Sequence, residues 1–456
     1  MTDPVLAGPA PPPTRLALRA FLRTLRDNPL KSFSEEAFDN LIVTFRLLTL
    51  RGFLVSDPEG IRHVLLDNAA NYRRAEIGRR ILEPGLGRGL LTSEGATWRT
   101  QRRIMAPAFD HGSMRGYAPT IGDATEALIE TWNGRPPGTV DMATAMMRLT
   151  LKIISRTMFS SDSEDIAAII ERSFADSQSG SMPNAFDYLG LPAWLAGWRR
   201  NAFRRRLFAP FDTVIHRLIE ERRAGVTGGT NGRQDLLTRL VAARDDESGE
   251  GMSAAEIRSQ CLTIFLAGHE TTALALTWTW YLLSLHPSHE ARLHAELDEV
   301  LGGRAPKYDD LPNLTYTRMV IEESMRLYPP APFMTREPVA DDVICGHEVP
   351  KGSYVAINPW VVHRHRRLWD HPLRFDPERF TPARSAQRPR FAYLPFGGGP
   401  RICLGASFAM MEAVLVLAAL ARKFRFRLAP GQMVEPRGMI TLRPNRGMVM
   451  SVAVRE

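Results

Sequence analysis

The chain has 456 residues, 44% of them hydrophobic and 24% charged, an ordinary globular composition with ample length for a large buried core. Its three cysteines, Cys261, Cys345 and Cys403, cannot form a paired disulfide framework, and nothing resembles a secretion signal, so a reducing cytoplasm is expected. The net charge of +8 favours an acidic partner; no zinc finger, basic heptad region or aromatic-glycine RNA signature points to nucleic acid, which leaves an acidic protein as the better expectation.

The N-terminal "GPAPPP" reads as a stiff lead, with residues 1–14 expected to be disordered. "TRLALRAFLRTLR" is basic and amphipathic: a short surface helix packed on the body, with a membrane-surface anchor as the alternative. "VTFRLLTLRGFLVSD" predicts a strand pair and "PEGIRHVLLDN" a helix. "GLGRGL", Gly85 to Leu90, lacks the third glycine and the feeding strand of a dinucleotide site, so no nucleotide fold is expected. Most of the chain to about residue 330 reads as helix broken by polar loops such as "AGVTGGTNGRQ" and "RDDESGEG". Beyond Pro329 short strands and turns take over, as in "DDVICGHEVPKGSYVAINPW". No repeat and no long linker divides the sequence, and no segment reads as a membrane span.

The segment "MSAAEIRSQCLTIFLAGHETTALALTWTWYLLSL" opens on a capping box, Ser253 and Glu256, and predicts a helix of about 32 residues and about 48 Å. It is almost wholly apolar from Cys261 to Leu285, yet "GHETT" at its centre would be costly in a bilayer. A helix buried through the middle of a soluble protein is expected. Gly268 loosens the backbone and Thr271 can bond a carbonyl one turn back, which makes either a structural kink or a pocket with room above a metal.

"FGGGPRICLG", Phe396 to Gly405, sets Cys403 behind a glycine-rich approach and ahead of the apolar helix "ASFAMMEAVLVLAAL". Glycines let a backbone approach a flat ligand closely, and the start of a helix favours a thiolate. With no second Cys or His at zinc spacing, a metal there would have to bring most of its own ligands, as haem does. A buried, inert cysteine in a glycine turn explains the same ten residues.

Taken together these motifs resemble the cytochrome P450 family of haem-thiolate monooxygenases. The family's loop, Phe-x-x-Gly-x-Arg-x-Cys-x-Gly, is matched by Phe396, Gly399, Arg401, Cys403 and Gly405, and "AGHETT" is similar to its oxygen-activating motif. The resemblance implies that Cys403 ligates the iron of haem b, that Phe396 packs beside the sulfur, and that Gly268 leaves room for O2. It implies that Thr271 hydrogen-bonds the dioxygen, that Glu270 belongs to a proton relay, and that His269 is structural. Arg401, Arg336 in "FMTREP", and Trp98 and Arg102 in "WRTQRR" would hold haem propionates. Glu323 and Arg326 in "EESMRLYPP", with Arg379 in "PERF", would form a buried structural group.

The implied fold is mainly α with a small β region, an α+β P450 fold in one domain over 1–456, with haem between the long central helix and the Cys-bearing loop. The implied reaction inserts one atom of O2 into a hydrophobic substrate. Electrons are expected from a separate acidic ferredoxin and its reductase, NAD(P)H acting only through them, onto a monomer. Arg99, Arg103 and the Arg422 to Arg427 segment are the expected docking charges. The pocket is expected from residues 75 to 95, 180 to 200, Phe265 and Leu266, Ala331 to Met334 and Met439 to Leu442. A peroxide-using peroxygenase and a non-catalytic haem sensor are the alternatives, and the intact acid–threonine pair argues against both.

Overall fold

A computed structural model describes residues 4–47, 50–133, 138–160, 198–227 and 235–455. The chain groups into two compact units, Met1–Ala75 with Ile121–Leu149 and Thr271–Glu456, and Glu76–Thr120 with Thr150–Glu270. Each unit draws on separated stretches of chain, so neither corresponds to one continuous sequence.

The first unit is built on a five-stranded sheet. Strands β1 (Ile42–Leu47) and β2 (Leu50–Val55) form the expected hairpin; with β3 (Tyr72–Arg74), β4 (Met334–Pro338) and β5 (Tyr354–Ile357) the order is β1-β2-β5-β4-β3. Only the β2–β5 pair is parallel. Phe53, Val55, Val355 and Ile357 from this sheet share a core with Ile61, Val64 and Leu65 of the helical turn after β2, and with Phe391 and Leu394. That core lies directly behind the glycine-rich loop.

The helix Ala406–Ala421 has every residue from Met411 to Ala421 buried, as a stretch apolar on all sides must be. Against it stands Thr315–Leu327, on which Glu323 and Arg326 pair at 2.6 Å with no exposure, and Arg379 completes the group at 3.5 Å. Arg326 also donates to the carbonyls of His363, Pro372 and Arg374, so the buried charges are hydrogen-bonded as well as paired.

The proline-rich lead is ordered from residue 4, contrary to the sequence expectation. The Ala7 peptide is clamped on both sides: its N–H donates to the Tyr281 hydroxyl at 2.9 Å, and its carbonyl accepts from the Tyr328 hydroxyl at 2.7 Å. Further on, Pro12 accepts from the Glu35 N–H. Prolines restrict the free chain, so docking it costs less conformational entropy than composition alone suggests.

In the second unit, Phe265 is packed between Phe159 and Phe211, at ring separations of 6.4 and 6.2 Å. Arg222 and Asp235 form a buried pair at 2.7 Å. The central helix runs over Ala254–Leu285, 32 residues as the sequence predicts, and the division between the units falls inside it, after Glu270. Its start carries the expected capping box, with the Ser253 N–H donating to Glu256 and the Glu256 N–H to Ser253 Oγ.

Candidate haem site

The cysteine loop is held by its backbone. Gly397 and Gly399 take φ of +75° and +66°, a region that disfavours any side chain. At Gly399 a Cβ would also fall 1.7 Å from the Leu65 carbonyl oxygen, so this glycine is required by close approach as well as by angle. The Cys403 N–H donates to the Phe396 carbonyl at 2.9 Å and closes the loop, and the helix begins three residues later at Ala406. Cys403 is exposed, in a chain where Cys261 is fully buried with its thiol pushed up to about 12 by desolvation. No group of three or more His, Cys, Asp or Glu side chains able to hold a metal is found among the described residues. A metal on Cys403 therefore has to arrive with its other ligands.

The sheet supplies paired cations. Arg74 of β3 stands directly opposite Arg336 of β4 in the antiparallel register, so their side chains lie on one face. Two guanidinium groups so placed suit an anionic group bridging them. Arg336 is buried and donates to the Thr335 carbonyl, which orients its guanidinium. On the helix Gly95–Met105, Trp98 and Arg102 lie on the same side, the guanidinium 6.0 Å from the indole.

The central helix presents a single open strip. Between Gln260 and Leu283 it is buried except at Ile264, Leu266, Ala267, Gly268 and Thr271. Ile264, Ala267, Gly268 and Thr271 follow the spacing i, i+3, i+4, i+7, which places them along one face. The strip is apolar apart from the Thr271 hydroxyl. Glu270 is buried, and His269 is fixed by Nδ1 contact with the Phe265 carbonyl at 2.7 Å while its own carbonyl accepts from Thr150. The structural expectation for His269 agrees with those bonds.

The family model described as Cytochrome P450 matches residues 9–450. The chain belongs to the cytochrome P450 family. It is 39% identical over 431 residues to cyclooctatin synthase of Streptomyces melanosporofaciens, covering 94% of this chain and 92% of that protein. It is 32% identical over 457 residues to pentalenene oxygenase of Streptomyces avermitilis, covering 99% and 98%. The crystal structure of the cytochrome P450DA heme domain superposes with a TM-score of 0.84 at 27% identity, covering 99% of both chains. The protein is thus a P450 monooxygenase, an oxidoreductase with the helix-rich P450 fold and its small β-sheets. No helix among the described residues is long and apolar enough to cross a membrane.

Haem fits the residues present. In one unit the exposed Cys403 offers a thiol and the facing Arg74 and Arg336 suit a carboxylate; in the other the open face of the central helix at Ile264, Ala267 and Gly268 is apolar.

Two sequence expectations, those for Phe265 and for the docking arginines, need correction. At Gly268, on the open strip, an added Cβ would meet Ile154 at 3.2 Å, so a side chain there would crowd the neighbouring helix. Exposed Ala267, not singled out in the sequence, is the small residue at the centre of the open strip. Phe265 is core rather than pocket lining. The proposed docking arginines are largely engaged: Arg103 binds Asp245 and Glu247, Arg422 is buried against Glu126, and Arg427 binds Glu290. Of the other expected pocket residues, 180 to 197 lie outside the described residues.

Sequence reasoning also missed Arg74 and the pair formed by Thr272 and Glu412. Glu412 is buried on the helix after Cys403, its carboxyl pushed up to about 8 by desolvation and held back only by the nearby Thr272 hydroxyl. An acid in a helix otherwise apolar all round was the available signal.

Proposed function

We propose that this P450 hydroxylates a terpene, taking electrons from a separate ferredoxin and reductase. The reading rests on the apolar strip of the central helix, whose one polar group is the Thr271 hydroxyl. Relatives bear names for oxidation of terpene substrates: cyclooctat-9-en-7-ol 5-monooxygenase of Streptomyces melanosporofaciens, 34% identical, and pentalenene oxygenase. A hydrocarbon with few polar groups is what such a strip accommodates, because it offers dispersion and exclusion of water but almost no hydrogen bonds.

Bound haem supplies the activation of O2, with one oxygen atom going to carbon and the other leaving as water. The chain's own residues set the conditions for this. The Cys403 thiolate would hold the iron from the loop and supply it with electron density. Ile264 and Ala267 offer water no hydrogen bonds along the strip, so a proton would be handed on by the polar groups beside it. Thr271 Oγ1, on the open strip, would present a proton to the oxygen side, and the buried Glu270 carboxyl, about 100° round the helix, would belong to the relay behind it. Arg74 and Arg336, and by the family's pattern Arg401, Trp98 and Arg102, would hold the propionates. Retention of both Glu270 and Thr271 favours O2 with reductant over peroxide as the oxidant.

The test is a reconstituted reaction with a ferredoxin, its reductase and NADPH against a panel of cyclic terpenes, fatty acids and aromatics. Terpenes are expected to shift the haem spin state and to be hydroxylated; Thr271→Ala is expected to keep NADPH consumption while diverting oxygen to peroxide or water. Binding by fatty acids alone, or full turnover on peroxide without reductant, would overturn the reading.

A further inference from the structure

The central helix carries four buried threonines, Thr263, Thr272, Thr277 and Thr279. A buried hydroxyl on a helix can bond to the carbonyl one turn back. Thr263, Thr277 and Thr279 do so, to Ser259, Ala273 and Ala275 at 2.8, 2.7 and 2.7 Å. Thr272 is the exception: its hydroxyl makes no bond to the Gly268 carbonyl and lies beside the Glu412 carboxyl. A glycine loosens a helix, and a hydroxyl bonded to its carbonyl would bend the helix further. Where the Thr272 hydroxyl points therefore bears on the one turn, Gly268 to Thr272, that also holds Thr271.

Glu412 is an acid without a cation. It is buried on Ala406–Ala421, where every residue from Met411 onward is buried. The buried titratable side chains on the elements packed against that helix are Glu323 with Arg326, Glu290 with its partner Arg427, His294 and Tyr316. None of them neutralises Glu412: only desolvation and the Thr272 hydroxyl act on its carboxyl. A leucine would be buried at this position without desolvating a polar group, so the acid costs stability, and such departures from an apolar core mark positions kept for another purpose.

We infer that Glu412 is a positioning residue for the oxygen side of the central helix: its carboxyl holds the Thr272 hydroxyl away from the Gly268 carbonyl and so fixes the turn that presents Thr271. The contact joins the helix that begins three residues after Cys403 to the helix that carries Thr271. Glu412 acts through Thr272 and passes no proton of its own. Desolvation pushes its carboxyl up to about 8, so the neutral contact is kept below that pH and given up above it. This role rests on the one proposed for Thr271.

Infrared spectra of the holoprotein test the contact without turnover. At neutral pH a protonated-carboxyl stretch is expected that Glu412→Gln removes and Thr272→Val shifts; no such band, or one that Thr272→Val leaves in place, would overturn the contact. Turnover tests the role, on a terpene that shifts the haem spin state. Thr272→Val and Glu412→Leu are each expected to raise the ratio of peroxide to product about fivefold, the scale of one neutral hydrogen bond. The native ratio is expected to climb as pH rises past about 8, while Glu412→Gln, whose carboxamide reaches Thr272 without titrating, stays flat. Thr272→Ser keeps the hydroxyl and is expected to match the native protein. A native ferrous–CO band and a cooperative melt show that each variant is folded and loaded. Equal pH profiles in the native and Glu412→Gln proteins, or an unaltered ratio in Thr272→Val, would overturn the positioning role. An unaltered ratio in Thr271→Ala would overturn it too, by removing the role of Thr271, and would leave the infrared contact standing.

Discussion

The Glu412 carboxyl, on the helix that follows Cys403, lies beside the hydroxyl of Thr272, the neighbour of Thr271 on the central helix. Both residues are buried, and neither Thr272 Oγ1 nor Glu412 Oε2 completes an aligned hydrogen bond. Desolvation pushes the acid up to about 8, so it is neutral at physiological pH. Folding therefore takes up a proton between the ordinary carboxylic range and about pH 8. Stability falls as pH rises through that window, by at most about 1.4 kcal/mol per pH unit, and the whole loss is present above the native pKa. Glu412→Gln cannot ionise and is expected to lose this slope. Urea unfolding of both proteins at pH 6 and at pH 8.5 checks it; parallel changes in the two proteins would show that Glu412 does not hold its proton.

Cys403 and Cys261 are chemically opposite. The first is exposed on a loop that glycines bring against Leu65; the second is fully buried with its thiol far from ionising. Cys403→Ser is expected to abolish the strongly red-shifted ferrous–CO band of a thiolate ligand, whether or not haem is retained. Cys261→Ala and Cys345→Ala are expected to keep it. Survival of the band in the Cys403 variant would remove the ligand assignment.

The facing of Arg74 and Arg336 across β3 and β4 gives a sharper expectation for the propionates. Removing one cation of such a pair weakens charge-assisted bonds, each worth about 1.5–3 kcal/mol. Arg74→Ala and Arg336→Ala are each expected to release haem to apomyoglobin about tenfold faster or more. Arg74→Lys should recover part of the loss through its point charge without the planar fork. Haem release at the native rate from both alanine variants would mean that the pair serves the sheet alone.

What could be read from the sequence was local. The Glu323–Arg326 spacing and the capping box of the central helix are each set within a few residues, and the structure shows both pairings. Arg74 escaped because its meaning depends on a strand register joining residues about 260 positions apart. The lead "GPAPPP" looked disordered because the tyrosines that clamp Ala7 lie near residues 281 and 328. At Gly268 a glycine in a helix reports that something is close, and the close approach of Ile154, more than a hundred residues earlier, could not be read locally.

The same long-range pairing changes where a ferredoxin is expected to dock. Arg422, with its side chain 7% exposed, donates from Nη2 to both carboxylate oxygens of Glu126 and from Nη1 to the Gly303 carbonyl, and so has little charge to offer a partner. A different surface adjoins the cysteine loop. Leu65 packs against Gly399, its neighbour Leu66 is partly bare, and Ile402, next in the chain to Cys403, is 40% exposed. Beside them Arg390 lines a cleft of about 250 Å³ with Leu66, Phe391, Pro58, Glu59 and Arg62, the last paired with Glu59 and Asp67. Apolar groups beside the exposed Arg390 suit an acidic partner, and its charge acts on association over about 8 Å at physiological ionic strength. Arg390→Glu is expected to lower the ferredoxin-dependent reduction rate about tenfold at low salt, with little change at high salt or in substrate affinity. Arg422→Glu is expected instead to destabilise the fold by about 2 kcal/mol, because it sets two carboxylates together, and to leave the salt dependence of reduction in place. Stopped-flow reduction across a salt series, with a melt of each variant, separates the two; a rate that responds to Arg422→Glu and ignores Arg390→Glu would return the docking site to the Arg422 to Arg427 segment.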